Sequence, residues 1–195
     1  MELKINLFNR EFIARILAAR TKKFYEVGYL KCIFEIRRKN KKYVQGYTNR
    51  CQDGKYVIFL DYDRIDPEWL VEEIKALQDE FELSDFYVFE SSKNSYHAVC
   101  IDKMPLNEFV HIARNTSIDR DFIDVPMMYG KRVWTLRVTN KNDVPVRFMG
   151  KIPSAYITRY QSSAHAQKLN DFFDLDIDVA MPDNLDKLVY CSYPV

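Results

Sequence analysis

Residues 56–63 read Tyr-Val-Ile-Phe-Leu-Asp-Tyr-Asp, an apolar run that closes on two aspartates one residue apart. The run predicts a strand. Successive strand side chains point to opposite faces, so Asp61 and Asp63 share one face while Tyr62 turns to the other. Two carboxylates at the mouth of a strand give the hard, incomplete oxygen shell that Mg²⁺ or Mn²⁺ prefers, with positions left for water and substrate phosphates. Asp-x-Asp is also a common solvated strand end, so its meaning depends on the residues that follow.

Downstream, Asp66-Pro67-Glu68 places an N-cap residue and a first-turn proline at the start of a helix striped by Trp69, Leu70, Ile74, Leu77 and Phe81. Strands are predicted at 85–91 and 96–101, on either side of the turn Ser92-Lys93-Asn94. A second helix is predicted over 105–114, with Leu106, Phe109, Val110 and Ala113 on one side. A last strand covers 131–139, where Val133, Thr135, Arg137 and Thr139 alternate with an apolar set, Trp134, Leu136 and Val138, expected to meet the helices. The order strand, helix, strand, strand, helix, strand is that of the split βαβ unit. It predicts an α+β, RRM-like or ferredoxin-like fold with a four-stranded antiparallel sheet, two helices on one face and the other face open.

Upstream, a helix is expected over about 9–27, with Phe12, Ile13, Ile16, Leu17 and Phe24 at helical spacing behind Asn9 as N-cap. Segments 30–37 and 42–50 are β-like and flank a basic turn. Gln52-Asp53-Gly54 is a tight turn into the acidic strand, so these pieces read as a small antiparallel unit feeding it. Beyond Val144 a further strand to Ile152 and a helix over Ser163–Phe173 are expected. With no repeat or linker in its 195 residues, the chain reads as one domain, 1–195.

A 47% hydrophobic and 14% aromatic composition indicates a globular chain. A net charge of only +1 excludes a purely electrostatic nucleic-acid binder, so any such contact must come from local patches. One is Arg37, Arg38, Lys39, Lys41 and Lys42, a run that equally suits a solvated hairpin turn. Cys32, Cys51, Cys100 and Cys191 form no Cys-x-x-Cys pair, which argues against zinc and for small buried hydrophobes. The absence of a leader pattern or a long apolar run predicts a soluble, cytoplasmic protein without a membrane partner.

Period-two register puts Asp61 and Asp63, Ser95 and His97, and Arg137 on the same face of the predicted sheet. Apolar-Asp-x-Asp, then Ser-x-His after a polar turn, then an Asp before a basic strand with a central Arg resembles the archaeo-eukaryotic primase superfamily, and within it the primase-polymerase branch. Asp61-Tyr62-Asp63 matches the first motif, Ser95-Tyr96-His97 the second and Asp124 the carboxylate of the third. Arg132 and Arg137 stand in the basic positions of YGKRVWTLRVTNK, and the likeness covers about 56–141.

The resemblance implies a metal-dependent nucleotidyltransferase palm, a template-directed DNA primase or polymerase of replication or repair. Asp61, Asp63 and Asp124 would hold Mg²⁺ or Mn²⁺, with Asp119 and Asp121 close by as alternatives to the third. Lys93, Ser95, His97, Arg132 and Arg137 would bind the nucleotide. The implied partners are nucleoside triphosphates, a DNA or RNA template-primer and a helicase or other replication protein. Without a zinc-binding insertion or accessory domain, extension is expected over de novo priming. The alternative is a non-catalytic nucleic-acid-binding or replication-initiator module on the same fold. A rolling-circle endonuclease would need a His-x-His pair, which His97, His111 and His165 do not form. Tyr43, Tyr47, Tyr87, Phe89, Tyr129 and Trp134 are expected to pack rather than stack bases, and His111 and His165 to be surface or structural residues.

Overall fold

The computed structural model describes residues 2–7, 10–19, 29–38, 43–138, 140, 144–182 and 190–194. The chain divides into two compact units, Met1–Lys42 with Pro194–Val195, and Tyr43–Tyr193.

The first unit is an antiparallel sheet of β1 (Glu2–Leu7), β2 (Arg10–Ala19) and β3 (Tyr29–Arg38), in that order. The helix expected over 9–27 is therefore corrected at Arg10–Ala19, and the rest of that span lies outside the described residues. Phe12, Ile13, Ile16 and Leu17 satisfy a helical period, but Phe12, Ala14, Ile16 and Ala18 equally satisfy a period of two. In the β2–β3 ladder their register partners are Ile36, Phe34, Cys32 and Leu30. Matched apolar cross-strand pairs of this kind decide in favour of the sheet. Residues 39–42 of the basic run also lie outside the described residues.

In the second unit β4 (Tyr43–Thr48), which the sequence suggested as part of a unit with the segment before it, belongs to a sheet of its own unit. It lies between β8 (Thr135–Arg137) and β10 (Tyr190–Pro194) in a sheet of order β10-β4-β8. The larger sheet is antiparallel and contains β5 (Tyr56–Tyr62), β6 (Phe86–Ser92), β7 (Ser95–Met104) and β9 (Arg147–Ile152) in the order β5-β7-β6-β9. Among the described residues four helices complete the α+β fold: α1 (Pro67–Phe81), α2 (Leu106–Arg114), α3 (Arg120–Met128) and α4 (Ser163–Phe173). Asp66 caps α1 through its carboxylate, which accepts from Glu68 N at 2.8 Å and Trp69 N at 3.4 Å. No helix among the described residues is long and apolar enough to cross a membrane.

The first three strands of the expected unit, β5, β6 and β7, share one antiparallel sheet, but the fourth does not close it. The strand predicted over 131–139 shrinks to Thr135–Arg137 and pairs with β4, while β9 takes the opposite edge, against β6. Asn49 explains the displacement, because it occupies the edge of β5 where a fourth strand would bond. Its carbonyl accepts from Val57 N at 2.9 Å, its Nδ2 donates to Val57 O at 3.3 Å, and it exchanges two bonds with the backbone of Trp134, at 2.9 and 3.1 Å.

On one face of the sheet Ile58, Leu60, Tyr62, Phe86, Val88, Ala98 and Cys100 pack against Leu70, Ile74 and Leu77 of α1 and Phe109, Ile112 and Ala113 of α2. Trp69 falls outside that stripe and is 56% exposed. The opposite face is not left open. Val57, Phe59, Tyr87, Phe89, Val99 and Ile101 are buried beneath Tyr47, Leu136 and Val138, with Ala166 and Leu169 of α4. Residues 56–60 are apolar at every position, and a strand of that kind demands cover on both sides. Trp134 joins the helix-side cluster, whereas Leu136 and Val138 join the second. The apolar side of 131–139 therefore serves two cores rather than the helices alone.

Candidate functional site at the strand ends

The second face turns polar where β5 ends and β7 begins. Asp61 and His97 are direct cross-strand partners, and His97 Nε2 lies 3.4 Å from Asp61 Oδ1. The carboxylate is partly exposed, whereas the imidazole is buried. Burial first, and then the nearby Arg137 guanidinium, push the His97 pKa down from 6.5 to about 3, against a hydrogen bond with the Arg137 backbone. The imidazole is thus neutral at physiological pH, and its contact with Asp61 is that of a neutral ring beside a carboxylate rather than an ion pair.

Arg137 donates to the Ser91 carbonyl and, at 3.1 Å, to the Val144 carbonyl, which ties β8 to the end of β6. Opposite Arg137 in the β4–β8 ladder is Gly46, where a Cβ would collide with the Leu136 carbonyl and approach Thr135 Cγ2 to 2.9 Å. Only glycine allows β8 to come this close. Ser95 is buried at the head of β7, and its carbonyl accepts from Ser91 Oγ at 3.3 Å.

Beside this cluster a cleft of about 180 Å³ is lined by Glu90, Ser92 and Lys93 of the β6–β7 hairpin and by Val144, Pro145 and Arg147. Lys93 and Arg147 are exposed and form no ion pair among the described residues. Sequence reasoning missed Arg147. Its signal was the alternation of the β9 segment, which places a cation beside Glu90 in the β6–β9 register.

The other predicted residues are placed less centrally. Asp63 follows the last β5 residue and is exposed. Arg132 is exposed in irregular backbone before β8. Asp124 lies on α3, a helix the sequence did not announce, and pairs with Arg114 Nη2 at 2.9 Å. Asp119 N donates to the Asp61 carbonyl at 3.1 Å, so α3 starts beside the site. The Asp119 carboxylate, however, caps that helix through Asp121 N. Among the described residues no group of three or more His, Cys, Asp or Glu side chains is arranged to hold a metal. The structure thus brings together Asp61, His97, Ser95 and Arg137, with Lys93 at the rim, and does not bring Asp124 to Asp61 and Asp63.

Tyr47, Tyr87, Phe89 and Trp134 are buried as expected, but Tyr129 is 77% exposed; the Tyr43 side chain lies outside the described residues. Cys51 and Cys100 are buried thiols. His111 is exposed with its ring edge-on to Phe81. His165 is structural and buried: its Nε2 donates to the Thr48 carbonyl at 2.8 Å, leaving Nδ1 to accept from Ser162 Oγ at 2.7 Å. Two more buried charges lie at the far end of β7. Asp102 accepts from Ser84 N and Oγ at 2.8 and 2.6 Å, and Lys103 pairs with Asp53 at 2.8 Å.

No protein-family model matches the chain, and neither does any curated protein or solved structure.

Proposed function

We propose that the chain is a metal-dependent nucleotidyltransferase of the primase-polymerase type, built on an RRM-like palm, that extends a primed DNA or RNA template with nucleoside triphosphates. The observation that carries this reading is the cross-strand pairing of Asp61 with His97, with the Arg137 guanidinium at the same strand ends. The cations Lys93 and Arg147, which line the cleft at the β6–β7 hairpin, support it, because a triphosphate requires positive charge.

Asp61 and Asp63 would supply carboxylate oxygens to a divalent ion. Mg²⁺ is commonly held by one or two carboxylates together with substrate phosphates, a donor set that Asp61 and Asp63 supply without an all-protein cage. When bound, the ion would stabilise the charge on the attacking and leaving oxygens. Asp124 joins as a third ligand only by leaving Arg114. Neutral His97 orients the Asp61 carboxylate without adding a competing positive charge. Arg137, braced on two carbonyls, presents a preorganised guanidinium, and Lys93 and Arg147 bind and orient the phosphate tail.

The test is elongation of a labelled primer with Mg²⁺ or Mn²⁺, using Asp61→Ala as control. Metal-dependent extension that the variant lacks is the expected result. A second reading, a nucleotide- and nucleic-acid-binding initiator module, is favoured by the Asp124–Arg114 pair, which engages the third expected acid. Nucleotide binding without elongation on either template would select it.

A further inference from the structure

We infer that the C-terminal cap of α3, residues 128–132, is a stacking platform for single-stranded nucleic acid. Met128 and Tyr129 are 81% and 77% exposed, the two most exposed large apolar side chains among the described residues, and Val125 continues the patch one turn earlier. They do not sit on a loose loop. Gly130 N donates to the Met127 carbonyl at 3.0 Å and Lys131 N to the Pro126 carbonyl at 2.8 Å, with Gly130 at φ +67°. These are the paired bonds of a Schellman cap, which rigidly ends the helix and holds the tyrosine outward.

The next two side chains, Lys131 and Arg132, are exposed and make no ion pair among the described residues. From Val125 to Val133 the sequence holds no acid, so the two cations more than offset the negative end of the helix. An outward aromatic followed by two unpaired cations is the chemistry of a base stacked on a ring with its phosphates held alongside. The charge argues for a nucleic-acid strand rather than a second copy of this chain, whose own Lys131 and Arg132 would be repelled.

The role of the platform rests on the polymerase reading above. Asp119 is bonded to Asp61 at the start of α3, and ten residues at 1.5 Å rise place Tyr129 about 15 Å along the helix. That is the length of about four stacked nucleotides. The platform would hold the unpaired template a few bases from the reacting end.

Fluorescence anisotropy of labelled oligo-dT and oligo-U against the full chain tests this, the two oligonucleotides separating DNA from RNA as ligand. Tyr129→Ala is expected to weaken binding about tenfold, Tyr129→Trp to preserve it, and Lys131→Gln to lower the salt slope by about 0.7. Asp61→Ala should lose extension yet bind the oligonucleotides as tightly as wild type, which supports both assignments, whereas weakened binding in Asp61→Ala with Tyr129→Ala unaffected would overturn the platform. Wild-type affinity in Tyr129→Ala, with extension intact, would overturn the platform and leave the polymerase reading standing. So would a change in oligomeric mass on size exclusion without a change in oligonucleotide affinity, which would make the patch an interface between copies.

Discussion

The two faces of the β5–β7–β6 sheet are made by the same strands in the same register, yet they end differently. The helix side stays apolar along β5 and β7 to their site ends, finishing on Tyr62 and Tyr96. The side beneath α4 is apolar over Val57, Phe59, Val99 and Ile101, and then changes at Asp61, Ser91, Ser95 and His97. The contrast separates two uses of strand alternation. Where both neighbours of a position are covered, the side chain contributes packing alone. Where the cover of α4 stops, the same alternation delivers a carboxylate and an imidazole to one place, beside the guanidinium that Arg137 brings from β8.

The largest expected effect isolates the polar end. Asp61→Ala should reduce extension by several orders of magnitude, because the carboxylate would hold the divalent ion that orients the incoming phosphate and offsets its developing charge. Leu60→Ala, one residue away on the helix side, should leave turnover per folded molecule unchanged in the same gel assay. It should instead lower stability by about 2–5 kcal/mol in urea unfolding.

Leu169→Ala on α4 tests whether the second face is a core in its own right. A loss in the same 2–5 kcal/mol range is expected from urea titration. A change below about 1 kcal/mol would mean that this face carries little weight and that the comparison fails.

The faces should also differ in their response to pH. In the unfolded chain the His97 ring takes a proton below about pH 6.5, whereas in the folded protein it stays neutral down to about 3. The unfolded state binds more protons throughout that window. The His97 contribution is therefore complete above about pH 6.5 and is lost as pH falls toward 3, by at most about 1.4 kcal/mol per pH unit. His97→Gln should flatten this part of the stability profile measured by denaturant unfolding across pH. Leu60→Ala should shift the whole profile down without changing its slope. The smallest effect is expected at the cleft rim: Arg147→Gln should weaken nucleotide binding several-fold in titrations, and the difference should shrink with added salt.

Elements whose signals are local were legible in the sequence. The Asp66-Pro67 start of α1, the turn before β7 and the span of α4 all rest on caps, turn residues or short periodicity. Long-range pairing was not. Phe12 to Leu17 fits either period, and the choice belongs to β3, a dozen or more residues away. The fate of 131–139 depends on Asn49, whose side chain blocks the edge of β5 from 85 residues upstream of Trp134. At the site, Asp61 and His97 follow the predicted strand register, whereas Arg137 arrives on β8, outside the sheet in which it was expected, and reaches the strand ends through its bond to the Ser91 carbonyl. Asp124 was placed by motif order alone, and its charge partner Arg114 comes from a different helix. Arg147 belongs to a strand added at the far edge of the sheet, which local pattern does not locate.

Gly46 gives the site a dependence on a residue that carries no functional group. Because β8 rests directly against its missing side chain, any substituent there must push away the strand that carries Arg137, and the guanidinium would lose its seat on Ser91. A single methyl group at position 46 would thus act as a wedge. In a mutational scan scored by nucleotide handling, this glycine should rank with the charged residues, although no substrate atom need ever approach it.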